Sequence, residues 1–91
     1  MPKVYIPVAM RKFTDNQSTV KVNDVSTIAN LLQSIQHQYP GIENQLRNQN
    51  GKINPYIAVF VNNTDIRDLE EVNTPVSEKD EIHIIQAIAG G

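Results

Sequence analysis

Apolar and polar positions along this chain change period several times, and each change marks an element. "KVYIPVA" (3–9) is a β-branched and aromatic run that reads as a strand. Pro7 has no backbone N–H to give to a ladder, so either the strand ends near Ile6 or a bulge or unpaired side falls at Pro7. "MRKFTDNQ" (10–17) ends in turn formers, and "STVKV" (18–22) alternates and returns as the second arm of a hairpin. Over 23–41 the period becomes helical. Ile28, Leu31, Leu32 and Ile35 stand at i, i+3, i+4 and i+7, a single buried stripe that Tyr39 extends. Ser26 is placed to cap the first turn, and Pro40-Gly41 stop the helix.

The stretch 41–55 is polar and reads as a long loop with one short helical turn at 42–46. "YIAVFVNNTDIRDL" (56–69) is a second hairpin, turning at Asn62-Asn63, two residues that tolerate positive φ. Residues 70–80 are rich in turn formers, and "EIHIIQA" (81–87) is a last strand. The order is hairpin, helix, loop, short hairpin, strand. It predicts an α+β domain, a mixed sheet with one main helix packed on one face.

At 91 residues there is one domain, and a chain of this size buries about 64% of its surface on folding. That suffices for one core but not for a deep pocket besides, so an enzyme with its own enclosed site is disfavoured. No cysteine is present, which removes disulfides, thiolate metal sites and cysteine nucleophiles. "MPKVYIPVAM" lacks the plan of a signal peptide, and no apolar run has membrane-spanning length, so the expectation is a cytoplasmic protein without membrane contact.

Net charge is −2, unevenly spread: residues 1–52 carry six Lys/Arg and three Asp/Glu, residues 53–91 two and seven. No basic stripe interleaved with aromatics exists, so nucleic acid is not an expected partner. The acidic half is a solvated face, or else a patch that steers a basic partner. His83 lies in an alternating strand and reads as a solvent-facing or edge residue; His37 lies off the helix stripe. Neither has ligand-spaced companions, so no metal is expected. Asp65, Asp68, Glu70 and Glu71 lack the burial that would tune an acid–base pair.

The end of the chain, "AIAGG" (87–91), carries the candidate chemistry. Gly90 and Gly91 have no Cβ, so this tip fits a passage too narrow for side chains and takes any φ a partner imposes. Five extended residues reach ~17 Å. The reactive group is the α-carboxylate of Gly91, ionised at neutral pH with a reference pKa of about 3.5. A carboxylate is a poor acyl donor and must be activated. No phosphate-binding GxxxxGK loop is present, so the activating enzyme is another protein. Ile85 and Ile88 are apolar where a sheet face and the root of the tail meet solvent. With Phe60 they are candidate interface residues, although ordinary packing accounts for Ile85 equally well.

In "VYIPVAMRKFT" (4–14), "STIANLLQSIQHQYPGI" (26–42), "YIAVFVNNTDIRDL" (56–69) and "AIAGG" (87–91), the chain resembles the ThiS/MoaD family of sulfur-carrier proteins, most closely its cysteine-biosynthesis branch. The resemblance covers essentially the whole chain. It implies the β-grasp fold of ubiquitin over 1–87 and a tail over 88–91 in which Ala89 and Gly90 present Gly91. It also implies a non-enzymatic carrier without a cofactor of its own. An E1-like ATP-dependent enzyme would adenylate Gly91, a sulfur donor would convert it to a thiocarboxylate, and a second enzyme would accept the sulfur. In the cysteine-pathway relatives that acceptor is a pyridoxal-phosphate (PLP) cysteine synthase. Two other roles begin from the same tail: a ubiquitin-like modifier joined through Gly91, and the small subunit of a molybdopterin-synthase-like complex. One departure stands out, Thr14-Asp15-Asn16, where related carriers often have glycines in the first turn.

Overall fold

The computed structural model describes residues 1–48, 50 and 52–86, and Pro7 organises the first of its elements. Strand β1 (Lys3–Tyr5) pairs antiparallel with β2 (Thr19–Lys21), Val4 opposite Val20. One further bond follows, from the Ile6 N–H to the Ser18 carbonyl at 2.8 Å. Pro7 then leaves at φ −65° and starts a 3₁₀ helix, Val8–Phe13. Of the two outcomes open in the sequence, the strand ends before the proline.

The 3₁₀ helix takes in Val8 and Ala9, which read as strand, and the first residues of the stretch 10–17 that ends in turn formers. It buries Met10, and the wholly buried Thr14 donates its hydroxyl to the Gln17 carbonyl at 3.0 Å. Asp15 and Asn16 follow at φ 53° and 63°. This is the left-handed region that glycine enters most easily and that Asn and Asp tolerate. The glycine-free turn therefore keeps a glycine-like backbone.

Helix α1 (Ile28–Gln38) buries Ile28, Leu31, Leu32 and Ile35 as the spacing requires, and Tyr39 packs partly buried at its end. Its cap is Thr27 rather than the expected Ser26: Thr27 Oγ1 accepts the Asn30 N–H at 3.2 Å. The cause is tertiary. The Ser26 carbonyl accepts from the Val76 N–H at 2.9 Å, and the Ile28 N–H reaches the Thr74 carbonyl at 3.0 Å. These bonds hold the approach to the helix extended one residue further. After a 3₁₀ turn at Pro40–Ile42, α2 (Glu43–Leu46) is the short helical turn expected at 42–46, and its Leu46 is buried.

The second hairpin joins β3 (Ile57–Val61) to β4 (Thr64–Asp65) through Asn62 and Asn63 at φ 48° and 78°. The last strand, β5 (Glu81–Gln86), lies between the hairpins, parallel to β1 and antiparallel to β3. The five-stranded order is β2-β1-β5-β3-β4. Val4, Val20, Val59, Ile82 and Ile84 are buried with the α1 stripe, so the helix covers one face of a mixed sheet. Each large apolar side chain buried there contributes ~2 kcal/mol.

Thr27→Ala removes the cap and should cost about 1 kcal/mol. Ser26→Ala leaves the cap in place and should cost only a few tenths. Urea unfolding of both variants measures the difference.

Candidate functional site

β5 delivers the chain to its end, so the site is built from what holds that strand and what surrounds its last residues. The entry to β5 is fixed by a polar corner. The Asp80 carboxylate accepts from the Ser77 N–H and from the Asn62 side-chain amide, both at 2.8 Å. Asn62 in turn accepts the Glu81 N–H on its side chain at 2.9 Å and donates its own N–H to the Glu81 carbonyl at 2.9 Å. The hairpin turn thus grips the first residue of the strand. Burial pulls the Asp80 carboxyl upward, but the hydrogen bonds from Ser77 and Asn62 outweigh it and hold the group below the ordinary carboxylate range.

At the other end β5 is described as far as Gln86, paired with Ile57. The tail residues Ile88, Ala89, Gly90 and Gly91 lie outside the described residues, as does Ala87, where the strand was expected to close.

The face of the sheet away from α1 carries the other named residues. Ladder pairing sets Tyr5, His83 and Phe60 side by side across β1, β5 and β3. The Tyr5 and His83 rings stack at 4.3 Å, within 2° of parallel, and the Tyr5 hydroxyl lies 3.4 Å from a Glu81 carboxylate oxygen. Phe60 is half-buried in this row, while Ile85, next along β5 and opposite Ala58, is 49% exposed. Phe60 and Ile85 therefore share one face. Ile85 is not among the buried core residues. His83 does face away from the helix, but on the central strand and not at an edge.

Beside Ile85 and Gln86 a groove of about 600 Å³ is lined by Pro7, Val8, Ala9 and Arg11. Val8 is 75% exposed, and Arg11 is steadied by donating its Nε–H to the Ile6 carbonyl at 3.1 Å. Sequence reasoning missed Val8, because it sits inside an apolar run that looks like strand. Tyr5 was missed too, although its alternation with the buried Val4 and Ile6 was a signal for it.

The remaining candidates stay apart. Asp65 forms an ion pair with Arg67 at 2.7 Å, whose guanidinium and backbone N–H hold the carboxyl low. Asp68, Glu70 and Glu71 are exposed, as is His37. Among the described residues no three His, Asp or Glu side chains come together as a metal site, and no helix is long and apolar enough to cross a membrane.

A mixed sheet with its last strand inserted at the centre and one helix across it defines the ubiquitin-like β-grasp class. The ThiS family model matches residues 4–91, and the chain belongs to the ThiS family. It is 28% identical over 90 residues to the sulfur carrier protein CysO of Mycobacterium tuberculosis, covering 97% of this chain and 96% of that protein. It is 25% identical over 71 residues to small archaeal modifier protein 3 of Haloferax volcanii, covering 78% and 76%. A chain in the Amycolatopsis orientalis BexX/CysO complex matches it with a TM-score of 0.90 at 26% identity, over 100% of both chains. These relatives are carrier and ubiquitin-like proteins, and the chain is of that non-enzymatic kind.

Because Asp80 and Asp65 are held low in the folded state, each contributes stability above the unfolded carboxylate value near pH 4 and loses it as pH falls through the lower folded value. Urea midpoints should fall steadily on acidification below pH 4. Asp80→Asn should lower the midpoint at pH 7 and flatten that fall.

Proposed function

We propose that this protein is a sulfur carrier whose working group is the Gly91 carboxylate. The observation that carries the reading is the central strand β5, which ends beside an exposed apolar surface and leads into "AIAGG". A strand gripped on both sides fixes the point, at Gln86, from which the chain beyond it departs.

The chemistry needs two partners. An E1-like enzyme joins the Gly91 carboxylate to the α-phosphate of ATP, releasing pyrophosphate and leaving an acyl adenylate. A sulfide-level donor attacks the acyl carbon, the bond to AMP breaks, and a thiocarboxylate remains. The thiocarboxylate sulfur is the nucleophile in the transfer that follows, and a PLP-dependent cysteine synthase fits as acceptor in a cysteine or related biosynthetic pathway. Likeness to CysO and to a chain of the BexX/CysO complex supports docking on a partner enzyme. Phe60, Ile85 and Ile88 form the apolar contact in this reading, with Val8 added from the structure. ATP-dependent activation suits a cytoplasmic protein.

Incubation with a cognate adenylating enzyme, ATP and sulfide should replace one C-terminal oxygen by sulfur, read by intact mass. Deleting Gly91 should abolish the change; an unchanged mass for the full chain with a competent enzyme would refute the proposal. Ile85→Asp should slow loading by weakening the partner, with the urea midpoint preserved, because the side chain is already half in water.

A second reading draws on the likeness to small archaeal modifier protein 3, in which Gly91 would be joined to a lysine of a target protein. Ladders of larger conjugates in cell lysates, lost on deleting Gly91, would favour it.

A further inference from the structure

The groove beside Gln86 owes its shape to a bond that cannot form. The Lys3 N–H donates to the Asp80 carbonyl at 3.2 Å, so Lys3 and Tyr5 turn their backbone groups toward β5. Pro7 is the next residue of that set and has no N–H to give, and the parallel ladder stops at Tyr5 and His83. The chain then leaves as the 3₁₀ helix Val8–Phe13, which sets Val8, Ala9 and Arg11 against Ile84, Ile85 and Gln86.

Arg11 is the charged residue of that lining, and it is held from both ends. Its backbone carbonyl accepts the Thr14 N–H at 3.0 Å and the Asn16 N–H at 2.8 Å. The second of these bonds closes over Asp15, whose φ of 53° brings the chain back. The glycine-free turn thus fixes the backbone of Arg11, while its Nε–H donates to the Ile6 carbonyl at 3.1 Å. Its terminal guanidinium nitrogens make no hydrogen bond or ion pair among the described residues, and no Asp or Glu lines the groove. A guanidinium anchored in this way presents a preset fork.

The structure assigns to Arg11 the role of a specificity-determining contact for the enzyme that activates Gly91. It takes one carboxylate of that partner, flanked by apolar contacts at Val8 and Ile85. This inference rests on the carrier reading above and names the chemistry that the partner must bring. A fixed arginine between exposed apolar side chains has the make-up of an interface hot spot. The fork pairs both oxygens of a carboxylate. One cation among Pro7, Val8, Ala9 and Ile85 matches a single negative charge in apolar surroundings, whereas a polyphosphate would call for several cations. Lys12 supplies no second one: it does not line the groove, and its Nζ lies 5.3 Å from the Phe13 ring centroid.

The test is the loading reaction with a cognate adenylating enzyme, ATP and sulfide, read by intact mass as initial rates over a range of carrier concentrations. Arg11→Glu should raise the KM for the carrier about tenfold or more and change kcat far less, because a like charge then meets the partner's carboxylate. Arg11→Lys, which keeps the charge without the fork, should raise it about threefold. Lys12→Glu, an equal change in net charge at an exposed neighbour, should load as the unaltered chain does, which separates a contact from general steering. Exchanging one Asp or Glu of the partner for Lys should restore loading of Arg11→Glu. Urea midpoints report on folding, and if Arg11→Glu does not fold, Arg11→Lys against Lys12→Glu still decides. Normal loading of the unaltered chain with an unchanged KM for Arg11→Glu, or an equal loss in Lys12→Glu, would sink this proposal and leave the carrier reading standing. No loading of the unaltered chain would sink both. A shift of the Arg11 Nε NMR signal on deleting Gly91 would make the occupant the chain's own terminus, and a sedimenting dimer broken by Arg11→Glu would make it a second copy; either overturns the assignment.

Discussion

The insertion of β5 between β1 and β3 is the constraint on which the rest depends. β1 and β3 do not touch as strands; each bonds only to β5 on its inner side. Until the last strand arrives there are two separate hairpins, neither able to cover α1 alone, and isolated hairpins are marginal in water. The partner of β1 is more than seventy residues away in sequence, Lys3 opposite Glu81, so the loop-closure cost is met only when the whole chain is in place. In the proposed reading, fold and function therefore share one strand. A strand bonded along both sides cannot swing, and whatever follows Gln86 starts from a fixed position and direction.

Phase matters as much as position. Successive side chains of β5 point to opposite faces, so a slip of one residue would drive His83 into the helix interface and put Ile82 and Ile84 in water. The corner formed by Asn62, Ser77 and Asp80 prevents it. The turn that closes the second hairpin is bonded to the first residue of β5, and the carboxylate that braces it is held ionised by the same groups. A polar cluster at the entry to β5 thus decides that Ile85 and Phe60 share one face.

The sequence was most legible where one period ran unopposed. The α1 stripe, the Asn62-Asn63 turn, the apolar run of β3 and the alternation in β5 each encode their own geometry, and their order was enough for a helix-on-sheet fold. It was less legible where a tertiary bond shifted a local preference. Ser26 is as good a cap as Thr27, and only the pairing of Ser26 and Ile28 with Thr74 and Val76 selects between them. The 3₁₀ helix at 8–13 is hidden for a related reason: Pro7 permits both an interrupted strand and a new helical start, and burial of Met10 and Thr14 favours the second. The site divides likewise. The reading of the tip rests on composition and falls on residues outside those described, whereas the pairing of Tyr5 with His83 needs a parallel register that no local signal carries.

In the proposed reading, an enzyme that activates Gly91 and one that accepts its sulfur would both need the tail, and both would approach over the exposed apolar surface at Val8 and Ile85. They would compete for it, so the carrier would have to leave the first before the second could act. A strand fixed along both sides suits such an exchange, because each partner would meet the same surface in the same orientation.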